Sequence, residues 1–195
     1  MSDAPQPTTC ALLAAGEGKR FSGPVHKLMA PLGGSTVLAT SLTAMVTAGA
    51  GDCVVITGAE TSARFLGEIG DVRSVHNPDW SSGQRSSVLL AIAVARAAGS
   101  TQVIIGLADQ PFAGADAWRA VGECDAPIAV ASYGGRRGNP VKLRSDVWEL
   151  LENGPGGADE GARALMDRHP ELVRQVACQG SPDDIDTHED LTRWT

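Results

Sequence analysis

The sequence predicts an α/β fold, a single-domain, Rossmann-like, three-layer open sheet that is mostly parallel. Three observations carry this prediction. Runs at 11–14, 53–57, 103–107 and 128–131 are continuously apolar rather than alternating, as in strands covered on both faces. Helix-like stretches at 36–48, 62–69, 86–98 and 115–121 fall between them. The chain of 195 residues is 43% hydrophobic, enough to bury one ordinary core, and shows no linker that would divide it.

Taken in order, residues 1–9 are polar, contain Pro5 and Pro7, and read as a flexible N-terminus. They lack the basic and apolar regions of a signal peptide. The domain then occupies 10–195. In the helix at 36–48, Leu38, Leu42, Met45 and Val46 repeat at helical spacing, and Gly49 follows as a stop. In the helix at 86–98, Val88, Leu89, Ile92 and Ala95 do the same, and Gly99 follows. Beyond residue 133 the order is less regular, with a strand expected at 140–144, a helix at 161–168 and a strand at 172–178. Thr187, with Asp190 three residues on, predicts a capping box that opens a last short helix. His76 and His169 are expected in loops.

Composition excludes several function classes. The net charge is −7, from 16 basic and 23 acidic residues, so a domain-wide nucleic-acid surface is not expected. The longest apolar run, 88–95, is far short of a membrane span. The four cysteines, Cys10, Cys53, Cys124 and Cys178, form no CxxC or Cys/His pair, which argues against zinc and against a disulfide framework. No Gly-x-Ser-x-Gly elbow and no His-Glu-x-x-His is present. Together these features point to a cytoplasmic globular enzyme or binding domain.

The first strand runs into Leu13-Ala14-Ala15-Gly16-Glu17-Gly18-Lys19-Arg20. Glycines there let backbone N–H groups converge on an anion, and nearby cations add charge. A dinucleotide fingerprint fails, because Phe21 stands where a third glycine is needed, and Walker A fails for want of Gly-Lys-Ser/Thr. Residues 18–51 contain no acid at all. With Lys19, Arg20 and Lys27 this stretch carries +3, so the rest of the chain, which sums to −7 with it, carries −10. A solvated surface turn explains a lone GxG equally well; the charge segregation favours a triphosphate site.

Further along, Asn77-Pro78 and Ser82-Gly83 mark a loop whose serines can cap the next helix. Asp109 ends a buried strand, where open α/β sheets bind ligands and where a hard cation can join a carboxylate to phosphate. Residues 134–139 are basic and glycine-rich, as in a solvated hairpin loop, and 156–163 suit a helix N-terminus with acids in its first turn. In Asp184-Ile185-Asp186 the two acids point to one side of an extended chain. Singly, each of these has an ordinary structural explanation.

Together they resemble one family in the right order from residue 10 to 191. Leu13-Ala14-Ala15-Gly16-x-Gly18-x-Arg20 with Lys27 resembles the N-terminal signature of nucleotidyltransferases, and among them the molybdenum-cofactor, MobA-like NTP transferases; Gly23 stands for the small residue after the arginine. Asn77-Pro78 with Gly83 and Ser87, Ala108-Asp109-Gln110-Pro111, Gly135 to Pro140, Asp159 to Arg163 and Asp184-Ile185-Asp186-Thr187 are similar to its later motifs. The resemblance implies a fold of the nucleotide-diphospho-sugar transferase type. It implies Leu13, Ala14, Ala15, Gly16, Gly18, Arg20, Lys27, Gly83 and Ser87 as nucleotide-binding residues, Arg20, Lys27 and Asp109 as catalytic ones, and Asp109 and Asp186 as ligands of Mg²⁺. Ala15 matches the cytidylyl-transferring relatives, where guanylyl-transferring ones have glycine, so CTP is expected over GTP. The implied acceptor is molybdopterin, with a molybdoenzyme or its chaperone as recipient and neither nucleic acid nor membrane as partner. Transfer to another phosphorylated metabolite, a glycosyltransferase and a non-enzymatic cofactor carrier are the competing readings.

Overall fold

The computed structural model describes residues 6–21, 25–60 and 63–194. Residues 1–5 of the expected flexible N-terminus, together with Gly23 and Ser62, lie outside these residues, whereas Thr8 and Thr9 of that segment are buried in the first strand rather than flexible. The strands are β1 (Thr8–Ala14), β2 (Pro31–Leu32), β3 (Ser35–Thr36), β4 (Asp52–Thr57), β5 (Arg73–His76), β6 (Gln102–Leu107), β7 (Ile128–Tyr133), β8 (Arg136–Arg144) and β9 (Val173–Ala177). The α-helices are α1 (Val37–Ala48), α2 (Ala63–Ile69), α3 (Gln84–Ala97), α4 (Ala115–Glu123), α5 (Trp148–Asn153), α6 (Arg163–Arg168) and α7 (His188–Thr192).

Seven strands form one sheet in the order β5-β4-β1-β6-β8-β7-β9, and β2 pairs with β3 apart from it. The pairs β5–β4, β4–β1, β1–β6 and β7–β9 are parallel, whereas β8 runs antiparallel to both β6 and β7. All seven residues of β1 are buried, because it lies at the centre with helices on both sides. Its side chains alternate between the two resulting cores. Cys10, Leu12 and Ala14 pack with Leu38, Met45 and Trp118 of α1 and α4, whereas Ala11 and Leu13 pack with Val88, Ile92 and Leu165 of α3 and α6. This is the three-layer arrangement that the unbroken apolar strands predict.

Local signals behave as their chemistry requires. Thr36 caps α1, its hydroxyl accepting from Ala39 N–H at 3.1 Å. Thr187 and Asp190 complete the expected capping box of α7. Gly134 and Gly135, at φ 58° and 87°, make the tight turn between β7 and β8, as a two-residue hairpin loop with both central residues left-handed requires. Lys142 is buried in β8, and its ammonium donates to the carbonyl of Cys124 at the end of α4, where the helix dipole favours a cation. Burial still lowers its pKa from the ordinary lysine value.

Three expectations change. His76 is the last residue of β5 rather than a loop residue, because the edge strand pairs with β4 through Thr57. The strand expected at 140–144 begins at Arg136, since hairpin pairing to β7 extends it through polar residues. The helix expected at 161–168 begins at Arg163, so Asp159 and Glu160 precede it and its first turn holds no acid.

Candidate active site

The C-terminal ends of the parallel strands β1 and β6 lie side by side, and the Ala108 N–H donates to the Leu13 carbonyl at 3.0 Å. Ala15 to Arg20 leave β1 there, and Asp109 leaves β6. Gly16 is exposed at this end of the sheet. Gly18 takes φ 68° and its carbonyl accepts from Phe21 N–H at 2.9 Å, which turns the loop. His26, a residue the sequence left without a role, lies 3.2 Å by its Nε2 from the Gly16 carbonyl and caps the short 3₁₀ turn Lys27–Met29. That turn aims Lys27 inward.

Lys27 Nζ lies 2.6 Å from Asp109 Oδ2 and 2.8 Å from Asp186 Oδ1. Arg20 reaches the other oxygen of Asp186 at 2.9 Å. Arg20 is exposed and Lys27 is buried. Burial disfavours the charge of Lys27, but the two carboxylates outweigh it and hold its pKa above the ordinary lysine value. Asp186 arrives from the far end of the chain because Ile185 is anchored. Ile185 N–H donates to the Asp109 carbonyl at 2.8 Å, and its side chain is fully buried in the core. Ile185 thereby fixes the positions of the two acids that flank it.

Asp184 serves a different neighbourhood. Its carboxylate accepts from the side-chain amide of Gln110, whose oxygen accepts from Asn139 Nδ2 at 2.9 Å. Desolvation, and then the charges of Asp109 and Asp186, raise its pKa above the ordinary aspartate value, although the Gln110 bond opposes this. Gln110, Asn139 and Asp184 line a cavity of about 590 Å³. Leu13, Val88 and Val130 give part of its lining an apolar surface, and Arg136, Arg137 and Arg163 line it together with Glu160 and Asp167. The Gln110 link between Asp184 and Asn139 has no signature in sequence, because three separate segments supply it.

Gly83 and Ser87 stand at the start of α3. Ser87 is buried, and its hydroxyl accepts from Asn77 Nδ2 at 2.9 Å. Gly83, at φ 112°, lies so close to Ala158 that a Cβ would sit 2.5 Å from the Ala158 carbonyl oxygen. Both residues therefore brace the loop at 77–87, and Gly83 seats the 156–161 segment on the cavity. Thus the fold brings Arg20, Lys27, Asp109 and Asp186 together in direct contact, and sets Leu13 through Gly18 beside them. Gly83 and Ser87 lie next to Gln84 and Val88, which share the cavity with Leu13.

The sequence pattern of the MobA-like NTP transferase domain matches residues 10–173. The chain belongs to this family. A MobA-like relative, the nicotine blue oxidoreductase of Paenarthrobacter nicotinovorans, is 30% identical over 198 residues, covering 95% of each chain. Among solved structures, Rv0371c of Mycobacterium tuberculosis superposes with a TM-score of 0.82 at 26% identity, covering 97% of this chain and 98% of that one. A nucleotidyl transferase from Methanothermobacter thermautotrophicus gives a TM-score of 0.77 at 25% identity, over 96% of this chain and 95% of that one. This MobA-like chain is therefore of the nucleotidyltransferase type by family and fold. Among its described residues no helix is long and apolar enough to cross a membrane.

Proposed function

We propose that the protein transfers CMP from CTP to the terminal phosphate of molybdopterin, with Mg²⁺, and releases pyrophosphate. The observation that carries this reading is the convergence of Arg20 and Lys27 on Asp109 and Asp186 beside the glycine loop. In the reaction an acceptor phosphate oxygen forms a bond to the α-phosphorus as the bond to pyrophosphate breaks. Both partners are anionic, so the work is positioning and neutralisation rather than covalent catalysis. An acceptor phosphate monoester is already ionised near neutral pH, and no general base is needed.

The donor set suits a hard divalent ion. Asp109 and Asp186 each turn one carboxylate oxygen toward the point that Lys27 Nζ occupies. A pair of carboxylates is enough for Mg²⁺, which keeps its other positions for substrate phosphate and water. When bound there, the ion would polarise the α-phosphate. Rv0371c, with a structure solved in complex with manganese, supports a divalent site in the fold. With nucleotide present, Lys27 and Arg20 exchange carboxylate partners for phosphate oxygens and hold the leaving pyrophosphate. Leu13 to Gly18 face the nucleotide, with Gly83 and Ser87 shaping the pocket for its base. The cavity lined by Arg136, Arg137 and Arg163 takes the acceptor, its apolar patch at Leu13, Val88 and Val130 against the ring system and its cations toward phosphate.

Cytosine is preferred because Ala15 adds a methyl group where guanylyl-transferring relatives have glycine, and a purine needs more room. The comparison of kcat/KM for CTP and GTP tests this, in the wild type and in Ala15→Gly, with molybdopterin as acceptor. Preference for CTP, partly relaxed in the variant, supports it; preference for GTP contradicts it. The nicotine blue oxidoreductase relative supports a second reading, oxidoreduction of a compound resembling nicotine blue in the same cavity. Against it stands Phe21 in the place of a dinucleotide-binding glycine. Pyrophosphate release without any redox turnover separates the two.

A further inference from the structure

Cys10 and Cys53 are 43 residues apart in sequence and are direct register partners in the parallel pair β1–β4. Register partners project to the same face, and both cysteines pack into the core on the α1 side of the sheet. Neighbouring strands run about 4.8 Å apart, within the Cα separation that a disulfide bridges, although the Cβ atoms must close by roughly 1 Å to reach the relaxed geometry. A bond formed there is strained enough to be reducible rather than permanent. The two thiols also differ in access. Cys10 is fully buried, whereas Cys53, second residue of β4, is half-buried near the strand's open end.

Each thiol acts on the other. The Cys53 thiol donates to the Gly51 carbonyl at 3.6 Å, and the neighbouring Cys10 thiol holds the Cys53 pKa below the ordinary value. The proximity of Cys53, and then burial, pushes the Cys10 thiol up. Cys53 is thus the better nucleophile and the one solvent can reach, while Cys10 stands behind it.

We propose that Cys10 and Cys53 are a redox pair that closes to an intramolecular disulfide on contact with a low-molecular-weight disulfide such as oxidised glutathione. The Cys53 thiolate attacks one sulfur of the oxidant, forming a mixed disulfide and releasing one glutathione thiolate. The Cys10 sulfur then attacks Cys53 Sγ, its proton passing to the second glutathione as that thiolate leaves. Two protein thiols are oxidised and one glutathione disulfide is reduced to two thiols. The bond ties the central strand β1, which feeds the glycine loop, to β4. This site is separate from the phosphate chemistry at the opposite end of the strands and stands whether or not that reading does.

The test is incubation of the native full chain with oxidised glutathione, alkylation of free thiols and mass mapping. The expected wild-type product lacks two hydrogens, protects two of the four thiols, shows the Cys10 and Cys53 peptides linked, and is restored by dithiothreitol. Cys10→Ser should stop at one glutathione adduct on Cys53, and Cys53→Ser should leave Cys10 unmodified. Four free thiols after oxidation, or a bridge through Cys124 or Cys178, overturns the proposal. The linked-peptide map of the wild type decides the matter even if a variant fails to fold.

Discussion

Lys27 and Asp109 are 82 residues apart in the chain and 2.6 Å apart in space. The same ammonium also contacts Asp186, so one buried cation holds together two carboxylates carried by the sixth strand's end and the C-terminal segment. On the proposed function, magnesium and nucleotide binding should be coupled, because phosphate taking over Lys27 would release the carboxylates to a cation. Wild-type protein should bind Mn²⁺ weakly alone and much more tightly with a non-hydrolysable CTP analogue, as read by electron paramagnetic resonance. Equal affinity in both conditions would contradict the exchange.

Asp109→Asn keeps the size of the side chain and removes its charge. Turnover should fall by at least about a hundredfold, the scale of several kcal/mol of lost charge stabilisation. Circular dichroism should remain that of the wild type, because Ile185 is anchored by the backbone of residue 109 and not by its carboxylate. Near-wild-type rates at ordinary Mg²⁺ would remove Asp109 from the metal site.

Lys27→Ala should weaken CTP binding by about 10- to 100-fold, the range for loss of a hydrogen bond to a charged group. Affinity for the acceptor should change far less. Calorimetry with the two substrates separately checks the contrast, and unchanged CTP affinity would make Lys27 a structural counter-ion only.

The same ion pair gives the ligand-free protein a pH dependence. The folded-state pKa of Lys27 lies above its ordinary value of 10.5, so its contribution to stability is complete below that value and is lost as pH rises through the folded one. Thermal unfolding should show an alkaline loss of stability in the wild type that is shallower in Lys27→Met. Parallel pH profiles in the two proteins would refute the assignment.

Gly83→Ala places a methyl group against the Ala158 carbonyl at a left-handed backbone position. Destabilisation of about 1–3 kcal/mol is expected from strain of this kind. The seating of 156–161 should loosen with it, raising KM for the acceptor. A Tm equal to that of the wild type would show that the loop accommodates the change.

The central strands were legible because burial on both faces leaves an unbroken apolar record: β1 and β6 read directly as such. β5 was not, since Arg73-Ser74-Val75-His76 forms an edge with neither apolar face complete. α5 was missed because it opens from a 3₁₀ turn with no side-chain cap to mark its start. At the site, the acid-free stretch around Lys27 signalled an anion, but no local rule places Lys27 on Asp186, because topology alone brings residues 159 apart together. The Gln110–Asp184–Asn139 link and the pairing of Cys10 with Cys53 escaped for the same reason. Gly83 carried a motif whose packing against Ala158 only the folded chain reveals.

Pyrophosphate release, measured for CTP, GTP, ATP and UTP with molybdopterin and Mg²⁺ each present or omitted, tests nucleotidyl transfer at the Asp109–Asp186 site most directly. The predicted result is pyrophosphate from CTP, stoichiometric with molybdopterin consumed, lost when either molybdopterin or Mg²⁺ is left out and lost in Asp109→Asn. Pyrophosphate from none of the four nucleotides would contradict the account.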